Sequence, residues 1–203
     1  VAQHPTPPSG TGEHPPRRRR ADAQRNLDAL VEAARTVFAT SGVDAPAKEI
    51  TDLAGVGVGT LYRHFPLRSD LVKAVVQTGI DAVAAAGTEL AATRAPMPAL
   101  TGWIDRFVEL LGTKRGLASA LHSGDPAFAD LPGYFLDRLA PTLAALLDAA
   151  AREGAIRKDF EAEELIHAIA LLCRPLPGQE PGYGRRMTGL LIDGLRLRSE
   201  ARE

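Results

Sequence analysis

A chain of 203 residues with 45% hydrophobic and 24% charged side chains has the means to bury a real core, which sets it apart from disordered proteins. No apolar run reaches the roughly 20 residues needed to span a bilayer, and a net charge of −1 argues against a protein that coats nucleic acid by charge alone. The charge is unevenly spread: residues 1–73 hold 10 Lys and Arg against 8 Asp and Glu (10 − 8 = +2), and residues 74–203 hold 14 against 17 (14 − 17 = −3). The N-terminal part is therefore the one suited to face an anion.

The opening "VAQHPTPPSGTGEHPPRRRR" is rich in Pro, Gly, Ser and Thr and closes on arginines. It has too little apolar surface to offset the entropy of ordering, so residues 1–20 are expected to form a disordered basic arm. No apolar segment flanks the arginines, so neither a Sec nor a twin-arginine signal is read, and a cytoplasmic location is expected. Arg17–Arg20 either stay solvated or reach the minor groove and flanking phosphates.

From Arg25 to about Ser41, Leu27, Leu30, Val31, Ala34, Val37 and Phe38 recur at spacings of three and four, which predicts one face of a helix. Gly42 is placed to end it in a left-handed cap. In "DAPAKEITDLAG", Pro46 suits a first helical turn, and Ile50, Leu53 and Ala54 are expected to point inward before Gly55 ends the helix. A helix of about two turns follows, up to Pro66. The stretch "LRSDLVKAVVQTGIDAVAAAGTELAATRA" reads as a longer amphipathic helix that stops before Pro96 and Pro98. Beyond the prolines, "PALTGWIDRFVELLGT", "GYFLDRLAPTLAALLDAAARE", "EAEELIHAIALLCR" and "GRRMTGLLIDGLRLR" carry apolar residues at helical spacing between Gly, Pro and Asp punctuation. Nowhere is there a sustained period-two alternation, so the expected fold is all-α.

Residues 53–66, "LAGVGVGTLYRHFP", admit two readings. A dinucleotide loop needs a preceding strand and a third glycine in register, and a phosphate loop needs Gly-Lys-Ser/Thr at its end. Neither condition holds, because a helical pattern precedes and the next lysine is Lys73. A helix-turn-helix fits instead, with Ile50, Ala54, Val56, Leu61 and Phe65 as the shared apolar seam and Gly55 as the turn. Val58 and Tyr62 then align on one outward flank, and Gly57, Thr60 and His64 on another. Bare backbone at Gly57 and Gly59 permits close approach to bases or phosphates. Val58 suits a thymine methyl, Tyr62 and His64 suit phosphates, and Arg63 suits a phosphate or base edge.

The segment "PAKEITDLAGVGVGTLYRHFPLRSDLVKAVV" resembles the helix-turn-helix signature of TetR-type transcriptional regulators, notably at Ile50, Ala54-Gly55-Val56, Gly59-Thr60-Leu61-Tyr62, His64-Phe65 and Leu71. The resemblance spans about residues 25–80. It implies DNA contact at Gly57, Val58, Gly59, Thr60, Tyr62 and His64, and at Arg68, where the family usually carries lysine. This sequence departs from the pattern at Gly57, often Ser in the family, and at Leu67, where a capping Ser or Thr is common. The expected organisation is a helix-turn-helix DNA-binding domain over residues 21–80 and a larger ligand-binding and dimerisation domain over residues 81–203.

The resemblance also implies a double-stranded, palindromic DNA operator, a small-molecule effector and a homodimer, acting as a repressor that the effector releases. Trp103, Phe107, His122, Phe128, Tyr134, Phe135 and His167 are the candidates to line an effector pocket; the same residues would also fill a helical core. The chain's last two helices look like those of a subgroup that pairs them in a four-helix dimer interface. Met187, Leu190, Leu191 and Leu195 would supply its apolar surface, and Gly194 its close approach; an internal core helix would show the same pattern. Cys173 is expected as an inert core thiol. No paired His and Cys spacing suggests a metal, no nucleophile motif suggests catalysis, and no cofactor is expected. The competing reading is a helical small-molecule-binding or interaction module with weak or no specific DNA binding, motivated by the glycine-rich, sparsely charged outward helix.

Overall fold

A proline in a helix's first turn loses nothing, because the N–H it lacks has no intrahelical partner there. In the computed structural model, which describes residues 16–113, 124–174, 178, 180 and 182–196 except for the side chains of 16–19 and 113, the first helix, α1, begins at Pro16 and runs to Ser41. The spacing placed its start at Arg25. The helix extends back because arginine is a good helix former, so the arginine run lies on α1 rather than before it. Residues 1–15 of the expected arm lie outside the described residues. Gly42, with φ +80°, ends α1 as its position predicted.

Helix α2 spans Ala47–Ala54 and α3 spans Val58–His64. On α2, Ile50 and Thr51 are buried, and the Thr51 hydroxyl donates to the Lys48 carbonyl at 3.1 Å. Leu53, expected inward, is 57% exposed. At 3.6 residues per turn, Ile50, Thr51 and Ala54 make one face, and Leu53 lies about 100° from its centre.

Helix α4 spans Arg68–Thr93 and packs on α1 and on two later helices, α5 (Pro96–Thr113) and α6 (Leu131–Arg152). Leu67, at its N-cap, has no side-chain acceptor, but the Leu67 N–H donates to Asp70 Oδ2 at 3.0 Å. That is one half of a capping box, and it supplies part of what the missing Ser or Thr would give. The expected domain boundary at residue 80 falls inside α4, where Ile80 is 1% exposed.

Among the described residues the remaining helices are α5 (Pro96–Thr113), α6 (Leu131–Arg152), α7 (Ala162–Leu172) and α8 (Tyr183–Leu195), with a 3₁₀ turn at Pro126–Phe128. An isolated antiparallel bridge between Ile156 and Arg196 ties the α6–α7 connection to the end of α8. The architecture is all-α, a helix-turn-helix domain followed by a larger helical domain. The second domain's centre is aromatic. Trp103 and Phe107 are fully buried with ring centroids 5.6 Å apart, Phe135 packs on Phe107 at 5.7 Å, and the Trp103 indole N–H donates to the Val83 carbonyl at 2.9 Å. At Gly87 the helices α4 and α6 approach so closely that a Cβ would run into Thr142 Cγ2 and sit 3.3 Å from Trp103.

Candidate nucleic-acid interface

The turn between α2 and α3 needs a left-handed residue, and Gly55 supplies it with φ +68°. Its N–H and that of Val56 return to the carbonyls of Asp52 and Thr51 at 3.3 and 3.1 Å, which closes the end of α2. Gly57, with φ −76° and ψ 149°, is the N-cap of α3 and offers no side-chain acceptor. Ile50, Leu61 and Phe65 are all buried, at 0%, 4% and 7% exposure, and form the seam that the spacing predicted. Burial of that size contributes roughly 1.5–3 kcal/mol per large side chain, enough to fix which face of α3 turns outward.

Turned outward are Val58 at 40% and Tyr62 at 54% exposure, four residues apart on one flank. Arg63 is exposed, and Thr60 and His64 are half-buried. A Cβ built at Gly57 or Gly59 meets no heavy atom of the described residues within 4 Å. These two glycines therefore leave bare backbone on the surface and serve no packing contact inside the protein. Leu53 and Leu67, at 57% and 62% exposure, add apolar surface beside α3 that the sequence pattern did not indicate. Lys48 on α2 is paired with Asp52 at 2.7 Å.

Arg68 is placed differently from the other expected contacts. Its Nε donates to the Val43 carbonyl at 2.6 Å, its Nη2 donates to the Ala45 carbonyl, and its guanidinium lies 5.3 Å from the centroid of the Phe38 ring. These bonds join α4 to the α1–α2 loop across 25 residues of sequence, a partnership that no local pattern signals.

The expected effector residues divide. Trp103, Phe107 and Phe128 are buried in the second domain's core, and Phe135 packs against it. His167 is exposed on α7, whose buried stripe is Ala162, Leu165, Ile166 and Ile169, so it stands apart from the aromatic cluster. His122 lies outside the described residues. Tyr134 lines a cleft of about 620 Å³ between α1, α4 and α6, over a floor that includes Leu27, Val31, Phe65 and Ala74. There its hydroxyl donates to Asp81 at 2.8 Å, and the Arg138 guanidinium pairs with the same carboxylate at 2.7 Å. Burial, and then the Asp81 carboxylate, hold the Tyr134 phenol above its ordinary pKa. Nearby, Lys73 pairs with Asp130 at 2.7 Å and draws that carboxyl below its usual range.

Of the expected interface residues, Leu190 is 65% exposed, Gly194 is exposed, Met187 and Leu191 are half-buried, and Leu195 is buried in the chain's own core at 8% exposure. Leu171 on α7, which the sequence reading did not single out, is 69% exposed. Cys173 is half-buried, with Sγ 3.9 Å from the Thr188 hydroxyl. No helix among the described residues is long and apolar enough to cross a membrane.

The family model described as "Bacterial regulatory proteins, tetR family" matches residues 30–75, and that described as "Transcriptional regulator SbtR-like, C-terminal domain" matches residues 95–197. A TetR transcriptional regulator from Streptomyces coelicolor is 34% identical, with a TM-score of 0.69, and the match covers 85% of this chain and 99% of that one. A TetR transcription regulatory protein from Mycobacterium vanbaalenii is 32% identical, with a TM-score of 0.68, and the match covers 88% and 99%. A curated HTH-type transcriptional regulator of Staphylococcus aureus strain USA300 is 40% identical over 63 residues, which are 30% of this chain and 34% of that protein. The chain thus aligns with about a third of the length of such curated relatives. The first family model ends inside α4 and the second begins just before α5, so together they span the helix-turn-helix and the helices that follow it, and the two solved structures match over both: the chain belongs to the TetR family of bacterial transcriptional regulators.

Proposed function

We propose that this protein is a homodimeric repressor that occupies a palindromic operator through α3 and leaves it when a small molecule enters the second domain. The observation that carries the DNA reading is the outward flank of α3. Val58 and Tyr62 are exposed there beside two glycines that no intramolecular contact requires. In this reading Tyr62 and His64 hold phosphates, Arg63 reaches a phosphate or base edge, Val58 meets a thymine methyl, and the backbone at Gly57, Gly59 and Thr60 approaches the duplex. Leu171 and Leu190 supply the apolar contact between two copies. The protein acts in the cytoplasm, where the operator is.

The effector works through α4, which runs unbroken from the turn after α3 into the second domain. A ligand shifts operator occupancy only by its preference for one conformation over the other, so it must bind the DNA-free arrangement more tightly. The fold supplies a route for that preference, because α4 packs on α1 in the first domain and on α5 and α6 in the second.

The test is binding to the DNA flanking the protein's own gene against an unrelated duplex of equal length at about 0.15 M salt, where a specific complex is typically favoured by ~10³ or more. The double variant Tyr62→Ala, His64→Ala is expected to abolish the preference while leaving the helical circular dichroism unchanged, since both side chains lie outside the seam. A double variant that keeps wild-type preference removes α3 from the contact and favours the interaction-module reading.

A further inference from the structure

Helices α2 and α3 sit in one span of chain whose two ends are bridged by the side chain of Arg68, in addition to the packing of α4 on α1. From its place at the start of α4, Arg68 donates Nε–H to the Val43 carbonyl at 2.6 Å and Nη2–H to the Ala45 carbonyl, both in the loop that follows α1. Its guanidinium carbon lies over the Phe38 ring, 5.3 Å from the centroid, in the last turn of α1. We propose that Arg68 is a positioning residue for DNA recognition: it closes the span from Val43 to Arg68 onto the end of α1 and so fixes where α3 is presented, instead of binding a phosphate itself.

The chemistry is specific to arginine. Its planar fork offers N–H donors in fixed relative directions and a flat face that stacks on an aromatic ring, whereas a lysine ammonium is a point charge on a flexible stem. The carbonyls it takes lie just past the C-terminus of α1, where the helix dipole favours a cation. What it restrains matters for α3, which has only seven residues and no side-chain N-cap. So short a helix does not hold its own direction; the seam through Leu61 and Phe65 holds one face, and the Arg68 closure holds the frame on which that seam sits. Phosphate contact, the role that the family resemblance implied for this position, predicts different behaviour on substitution.

For its consequence on DNA the proposal rests on the DNA-binding reading above, whereas the closure itself is testable without DNA. The variants are Arg68→Lys, which keeps the charge and loses the fork and the stacking face, and Arg68→Met, which keeps only the stem. In the free protein, amide hydrogen exchange over residues 43–67 is expected to quicken about tenfold in both variants, a shift of the size that one lost charge-assisted hydrogen bond gives. Against the operator, both variants are expected to bind about tenfold more weakly, with non-specific affinity and the slope of log affinity against log salt unchanged.

If Arg68 is a phosphate ligand, Arg68→Lys keeps wild-type affinity, Arg68→Met flattens the slope by about 0.9, and the proposal is overturned. Unchanged exchange over 43–67 also overturns it. So does loss of helical circular dichroism in Arg68→Lys, which would make Arg68 a residue of global stability. A wild-type protein without operator preference fails the DNA reading, while the exchange comparison still decides whether Arg68 closes the span.

Discussion

A glycine that the fold requires and a glycine that a partner requires respond oppositely to alanine. Gly55 sits at φ +68°, where a Cβ is strained. Gly59 lies inside α3 with open space where a Cβ would be, so the protein itself gains from alanine there. Helix propensity alone predicts about 1 kcal/mol of added stability for Gly59→Ala. We expect the thermal midpoint to rise and operator affinity to fall about tenfold, because the new methyl stands between the α3 backbone and the duplex. A variant more stable than wild type and equal to it in operator binding would show that the duplex does not come close at Gly59. The same residues show what a sequence reveals. Gly42 and Gly55 were legible because a left-handed cap is a property of one position, and both have positive φ. Leu53 was not legible, because on an eight-residue helix a small rotation decides which of two leucine-like positions faces in. Arg68 was not legible either, because its carbonyl partners lie 25 and 23 residues away.

Helices as elements were readable from their spacing, since apolar residues at intervals of three and four need one buried face whatever covers it. What covers it was less readable. Trp103 and Phe107 suit a ligand pocket and a packed core equally well in sequence; the structure stacks them together under α4 and satisfies the indole N–H at Val83. Helix α4 itself crosses the expected boundary at residue 80, because a helix that packs on α1 at one end and on α5 and α6 beyond shows no break in its periodicity. At Gly87 it comes so near α6 that a Cβ has no room, and the pairs Lys73–Asp130 and Asp81–Arg138 bridge the same pair of helices toward the α4 N-terminus. Gly87→Ala forces a methyl into Thr142 and toward the Trp103 ring; overpacking of that kind costs about 1–3 kcal/mol, set against roughly 1 kcal/mol that alanine returns in helix propensity, so the thermal midpoint is expected to fall. An ion pair open to solvent contributes only about 0–1 kcal/mol, and although Lys73 is half-buried its partner Asp130 is 62% exposed, so Lys73→Met is the control that should move the midpoint less. Equal shifts in the two variants would show that the α4–α6 contact is not tight at Gly87.

At the scale of the molecule, one α3 reads only a short stretch of a major groove, and doubling that readout requires a second copy held at a fixed distance, with half-sites about 34 Å apart on a straight duplex. In the proposed dimer the surface for that pairing is two exposed leucines on the last two described helices, Leu171 at 69% and Leu190 at 65% exposure. Leu195, by contrast, is spent on the chain's own core. Because neither exposed leucine packs inside the protomer, the double variant Leu171→Glu, Leu190→Glu should fold with wild-type helical content. Its carboxylates would face each other across a two-fold axis, and burying unpaired like charges there is prohibitive. Sedimentation equilibrium is expected to show a dimer for the wild type and a monomer for the variant. Operator affinity should fall by far more than the tenfold expected from a local change at α3, since a monomer keeps one half-site's contacts and loses the second. A variant that remains dimeric would place the pairing surface elsewhere on the chain, whereas a monomer with full operator affinity would mean that one α3 suffices and that the two-fold arrangement is not what selects the site.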